Sequence, residues 1–128
     1  MDIAFLIGRM VVGLYWLYGA YAHFTQPGLV AYAEAKGVPF GGLAVRGTGV
    51  LLLFGGLSIL TGVQPVFAIA ALTVFLLPVT LWMHNFWTVK DAEARETEFL
   101  MFTKNIAMLG YTLILLAIPQ PWIFSLGF

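Results

Sequence analysis

The sequence predicts an all-α fold, an integral membrane four-helix bundle, on three observations. Only 9% of the 128 residues are charged and 61% are hydrophobic, against about 25% charged in an ordinary soluble domain. Mean hydropathy is +0.94. Four apolar runs each reach the roughly 20 residues with which a helix crosses the hydrocarbon core. A small soluble fold keeps about a third of its surface in water, and six basic plus six acidic residues cannot furnish it. The same numbers exclude disorder. Helices are required because lipid offers no partner to open backbone groups. The runs are continuously apolar and too long for the alternating strands of a barrel.

The expected spans cover residues 3–24, 43–62, 66–87 and 99–118 of a single membrane domain, 1–128. The first lacks a basic leading segment and is too long for a signal sequence, so it reads as a retained helix. Between the first two spans, Pro27-Gly28 and Gly37 with Pro39 bracket a short helical stretch, 28–36, that reads as interfacial. Gly62 to Pro65 is a tight turn. Lys90, Asp91, Glu93, Arg95, Glu96 and Glu98 concentrate charge before the fourth span, as a solvated loop leading into it. Pro119 and Pro121 end that span, and residues 119–128, with Trp122 and Phe124, read as a second interfacial segment. The membrane face with the two longer loops, side B, carries Lys36, Lys90 and Arg95. The positive-inside rule then puts side B in the cytoplasm and both termini outside.

Net charge is zero, so nothing attracts a phosphate backbone, and nucleic acid is not an expected partner. Absence of cysteine removes disulfides, thiol nucleophiles and cysteine-bound metal centres. Redox chemistry here would need a quinone, a bound cofactor or a partner subunit. No metal site is expected, since no carboxylate stands within a span beside either histidine. Haem is not expected either: His23 and His84 lie at span ends with no attachment motif.

An ionisable side chain inside a span costs roughly 2.5–3.5 kcal/mol on insertion scales, so function is sought there first. At about 1.5 Å rise per residue, Arg9 lies near side A. His23, Arg46, His84, Trp87, Lys104 and Asn105 form one layer near side B. Arg9, Gly13, Trp16, Ala20 and His23 share one face of the first helix, as do Thr73, Leu77, Thr80, His84 and Trp87 of the third. Gly49 with Gly56, and the stripe Thr103, Ala107 and Gly110, are small residues that permit close helix approach. Pro78 reads as a kink. His84 and Lys104 are the candidate catalytic groups, as donors to a ligand oxygen. Trp87, Asn105, Arg46 and His23 are candidate ligand-binding groups. Each also has a plainer role: Arg9, Arg46 and Lys104 reaching to headgroups, the histidines and Trp87 as interfacial residues.

The stretch His84-Asn85-Phe86-Trp87, then Lys104-Asn105-Ile106-Ala107-Met108-Leu109-Gly110, resembles the signature of the DoxX family. Gly8-Arg9, Gly19-Ala20 and Leu53-Phe54-Gly55-Gly56-Leu57 are similar to the family's first- and second-span patterns. One position departs: many relatives carry a glutamate before the glycine pair, where this sequence has Leu52. The resemblance implies a four-helix inner-membrane protein of a prokaryote, linked to redox or sulfur metabolism. Some family members are membrane subunits of a thiosulfate:quinone oxidoreductase, or assemble with superoxide dismutase and a sulfurtransferase. The expected function is therefore a membrane subunit of a redox complex, whose cofactor or ligand is a quinone or a sulfur oxyanion. A non-catalytic anchor or scaffold within a larger membrane complex is the alternative. The expected partners are the lipid bilayer and other membrane or membrane-associated subunits.

Overall fold

A computed structural model describes residues 1–127, so the last residue of the expected segment 119–128 lies outside the described residues. Five α-helices form: α1 Asp2–Thr25, α2 Pro27–Ala35, α3 Gly41–Thr61, α4 Pro65–Pro78 and α5 Ala92–Ile114. Four stretches are long and apolar enough to cross a membrane: Asp2–Thr25, Gly41–Thr61, Pro65–Thr88 and Ala92–Ala117. The short α2 separates the first two spans. Its start follows from Pro27 at the first helical position, where a missing N–H and a fixed φ do no harm.

The spans pack in a sequential row. α1 lies along α3, α3 against α4, and α4 against α5, while α1 and α5 do not pack closely together. Glycine makes the tightest of these contacts possible. A Cβ on Gly13 would fall 2.8 Å from Leu60 Cβ and 3.0 Å from its backbone. One on Gly56 would meet Leu17 at 3.0 Å, one on Gly49 would meet His23 Cβ at 3.0 Å, and one on Gly55 would reach Leu72 at 2.7 Å. The expected face of α1 is the one turned inward: Arg9, Gly13, Trp16 and Ala20 are all buried. The stripe on α5 behaves differently. Thr103, Ala107 and Gly110 are exposed, and nothing approaches Gly110 within 4 Å. The inward line of α5 is instead Met101, Asn105, Met108, Thr112 and Leu115, at spacings of three and four.

Two elements differ from the sequence reading. α5 begins seven residues before the expected residue 99, because Asp91 caps it: its carboxylate accepts from Ala94 N–H at 2.9 Å. Most of the charged run is therefore helix rather than loop. In the third span, Pro78 passes the helix into a π-helical segment, Val79–Met83. Proline removes one backbone donor, and wider turns absorb the defect. Leu77 is exposed, although it shares the predicted face with Thr80 and His84, because the buried line of this span runs through Ile69, Leu72, Leu76 and Thr80.

On side A the chain after α5 folds back beneath the bundle. Trp122 is 2% exposed and meets Phe5 edge-on at 5.5 Å, so it packs into protein. Arg9, 4% exposed, donates through its two terminal nitrogens to the carbonyls of Ile123 and Phe124, each at 2.9 Å. It thus pins the tail and does not reach out to a headgroup. Gly62 ends α3 at φ +76°, and a Cβ there would strike Ser125 at 2.7 Å. Glycine serves both the left-handed turn and the tail's close passage.

Candidate functional site

Glu98 is the hub of the polar end of the bundle. It stands two turns into α5, where the sequence reading had a loop. The same spacing that turns Met101 and Asn105 inward carries back to it. Its Oε2 accepts from His84 Nδ1 at 2.8 Å. Its Oε1 lies 2.5 Å from the Tyr32 hydroxyl and 3.1 Å from Lys36 Nζ. Tyr32 and Lys36 are four residues apart and reach α5 from α2 and its C-terminal end. Lys36 also donates to Asn85 Oδ1 at 3.2 Å, and Trp82 Nε1 donates to the Lys36 carbonyl at 2.9 Å. The hydroxyl of Tyr32 has the Met83 carbonyl at 3.0 Å as a second acceptor. Burial, reinforced by the hydrogen bond to Glu98 and by its charge, pushes that hydroxyl well above its ordinary pKa.

Below this network lies a cavity of about 620 Å³, lined by all five helices. Leu52, Phe75, Met101 and Met108 contribute apolar wall, and Trp16, edge-on to Phe75 at 6.3 Å, contributes an aromatic one. The polar groups that line it include His23, Tyr32, Thr48, His84, Lys104 and Asn105. Its exposed lining residues include Tyr15 and Tyr18 of α1, Trp82 of the third span and Lys104 of α5, and α1 and α5 are the two outer spans, which do not pack closely together. α2 covers it on side B through Leu29, Tyr32 and Ala33. A mostly apolar chamber with a few convergent polar groups is the usual form of a small-molecule site.

Four of the six sequence-selected residues meet there: His23, His84, Lys104 and Asn105. His84 turns Nδ1 to Glu98, which fixes its ring and leaves Nε2 without a protein partner among the described residues. Asn105 is buried and Lys104 exposed; among the described residues the Lys104 ammonium donates to Met101 Sδ, at 3.5 Å, alone. His23 is tied to α3, with Nδ1 3.0 Å from both the Val45 carbonyl and Thr48 Oγ1. The other two residues lie elsewhere. Trp87 sits in a 3₁₀ turn, 56% exposed, and packs edge-on with Phe86 at 5.3 Å and Phe102 at 5.9 Å outside the cavity. Arg46 faces a second groove of about 390 Å³ between the end of α1, α2 and α3. Tyr32, Lys36 and Glu98 were not among the sequence-selected residues. The inward spacing of Glu98 with Asn105 was the available signal for one of them.

Leu52, at the position where the resemblance implies a glutamate, is 2% exposed and forms part of the cavity wall. The carboxylate nearest this chamber is contributed by α5 instead. Among the described residues, no group of three or more histidine, cysteine or acidic side chains is arranged to hold a metal ion.

No curated protein and no solved structure matches the chain. The family model for DoxX matches residues 4–85, from the first turn of α1 to the residue after His84, with α5 outside the match. That is well over half of the chain, and with four membrane-spanning stretches around one polar-ended chamber the chain is an integral membrane protein that belongs to the DoxX family.

Proposed function

We propose that this protein is a quinone-binding membrane subunit of a redox complex. The single observation that carries the reading is the chamber itself: mostly apolar walls, exposed residues of α1 and α5 in its lining, and His84, Lys104 and Asn105 among its polar groups. A quinone combines a flat ring with two carbonyl oxygens and an apolar tail, and it travels within the bilayer. Lateral entry between α1 and α5, the outer spans that do not pack closely together, suits such a ligand. Apolar side chains such as Leu52, Phe75 and Met108 predominate in the wall, which favours a quinone over a sulfur oxyanion, whose charge would need more donors.

Within this reading, Lys104 and Asn105 hold the carbonyl oxygens. His84 Nε2 supplies or accepts a proton at one of them, as imidazole does in general acid–base chemistry. Glu98 holds the ring in orientation through Nδ1, as a carboxylate does for a general acid–base histidine. Electrons come from a partner subunit, because the chain has no cysteine-based carrier. Side B faces the cytoplasm in this proposal, at the inner membrane of a prokaryote.

A second reading has its own support. Glu98 is fully occupied by Tyr32, Lys36 and His84, and such a knot would also serve a scaffold by locking α2 to α5. Titration of the protein in lipid nanodiscs with a short-chain ubiquinone or menaquinone analogue separates the two. Saturable binding that weakens roughly tenfold or more in His84→Ala and Lys104→Ala, the loss of about one charge-assisted hydrogen bond, supports the quinone site. Absence of binding, or binding indifferent to both substitutions, overturns it. A scaffold role would instead appear as loss of a co-purifying partner in His84→Ala.

A further inference from the structure

The groove that takes Arg46 away from the main cavity has a chemistry of its own. It is about 390 Å³ in volume and lies between the end of α1, the first turns of α2 and the side B end of α3. Arg46 and Glu34 both line it, and both are exposed. Among the described residues neither has an ion-pair partner: the two salt bridges found join Lys36 and His84 to Glu98. Their charged atoms are therefore more than 4.0 Å apart, with the groove between them. The stem of Glu34 is seated against Gly41, where a Cβ would fall 2.5 Å from Glu34 Cγ. The groove also contains the start of α2 at Gln26 and Pro27.

We propose that this groove holds the headgroup of an ethanolamine phospholipid. Arg46 stands five residues into α3, about 7 Å along the helix at 1.5 Å per residue, which is headgroup depth on side B. An unpaired guanidinium in a membrane span needs an anion, and at that depth the abundant anion is lipid phosphate. The facing carboxylate narrows the choice. Glu34 repels a headgroup that is only anionic and attracts one that also carries a cation. A primary ammonium donates hydrogen bonds to it, whereas a quaternary choline has no N–H to give. The phosphate thus lies toward Arg46, and the ammonium toward Glu34. This site is separate from the quinone reading and stands or falls without it.

The test is competitive retention. Purified protein is equilibrated with equal amounts of phosphatidylethanolamine, phosphatidylglycerol and phosphatidylcholine of identical acyl chains, and the lipid that stays bound is weighed by native mass spectrometry. Phosphatidylethanolamine should exceed each of the others roughly five- to tenfold, the scale of one charge-assisted contact. Glu34→Gln should erase that preference and leave total lipid nearly unchanged. Arg46→Gln should lower retention of all three, and Arg46→Lys should restore part of it. Should Arg46→Gln fail to fold, Glu34→Gln and Arg46→Lys decide the matter. Equal or greater retention of phosphatidylglycerol by the unaltered protein overturns the proposal. So does a preference that survives Glu34→Gln. Displacement of the lipid by micromolar soluble glycerophosphoethanolamine would reassign the groove to a free phosphoester and overturn the lipid assignment.

Discussion

A carboxylate that accepts from three side chains, drawn from α2, its C-terminal end and the end of the third span, ties those elements more firmly than any single contact around it. Glu98 does this for Tyr32, Lys36 and His84. Glu98→Gln keeps the shape but removes the charge, and it offers an amide N–H₂ where one donor now points. We expect a loss of about 1–3 kcal/mol, the range for a disrupted charged hydrogen bond, and faster amide exchange confined to α2. Hydrogen exchange with mass spectrometry reads both. Tyr32 gives the same knot a pH response. The folded chain holds its hydroxyl above the ordinary value of about 10, so the folded state favours the protonated form. The stabilisation is complete below the unfolded pKa and declines as pH rises beyond it toward the folded one. Melting temperature should therefore fall above about pH 10, and Tyr32→Phe should flatten the part of that fall that belongs to Tyr32. At the other end of the molecule, Arg9→Met strands the Ile123 and Phe124 carbonyls that Arg9 now serves. The expected loss is about 1–3 kcal/mol, with Trp122 emission shifted to the red in a variant where it is the sole tryptophan.

At the scale of elements, two glycines on two spans make opposite forecasts. Gly13→Ala drives a methyl into Leu60 backbone atoms 3.0 Å away and should lower stability by about 1–3 kcal/mol through overpacking. Gly110→Ala meets nothing within 4 Å and should be neutral or stabilising by up to about 1 kcal/mol through helix propensity. Thermal unfolding in one detergent compares them directly. Both glycines read alike in the sequence, as small residues on a helix, and only the packing separates them. The inward face of α1 was legible because an unbroken α-helix keeps its period from Arg9 to Ala20. In the third span the buried line runs through Ile69, Leu72, Leu76 and Thr80, one position from the predicted one, so Leu77 falls outside it even before the π-turns that follow Pro78. α5 was shortened because hydropathy responds only after the charged turns end. That left Glu98 outside the expected span, although it stands on the helix face of Asn105. Tyr32 and Lys36 had no local signal of any kind. Their roles arise from contacts with a residue more than 60 positions away, which no window along the chain samples.

The whole molecule is a row of four spans whose outer two, α1 and α5, do not pack closely along their backbones. α1 meets α3, α3 meets α4, and α4 meets α5, so the chamber between the two outer spans is a product of chain order and not of any one residue. On side A the gap is sealed by the tail that Arg9 pins and by Trp122 against Phe5. On side B it is roofed by α2, which Glu98 fastens. Between those ends, exposed Tyr18 of α1 and exposed Lys104 of α5 are part of its lining. A packed interior has few voids larger than a water molecule, so an unfilled chamber of this size in a pure scaffold is expected to be a liability. Filling it then distinguishes a scaffold from a binding protein without touching any polar group. Ala44 lines the chamber from α3, an element that carries none of His84, Lys104 and Asn105. Ala44→Leu adds three carbons to the space. In a scaffold, the added burial should raise stability by about 1–2 kcal/mol and leave partner association unchanged. In a binding protein the stability gain should be the same, but affinity for a short-chain quinone analogue should fall by roughly tenfold or more, because the ring and the new side chain cannot share the volume. Melting temperature and ligand titration on the same preparation give both readings. A stabilised variant that still binds the analogue with full affinity would place the quinone outside this chamber.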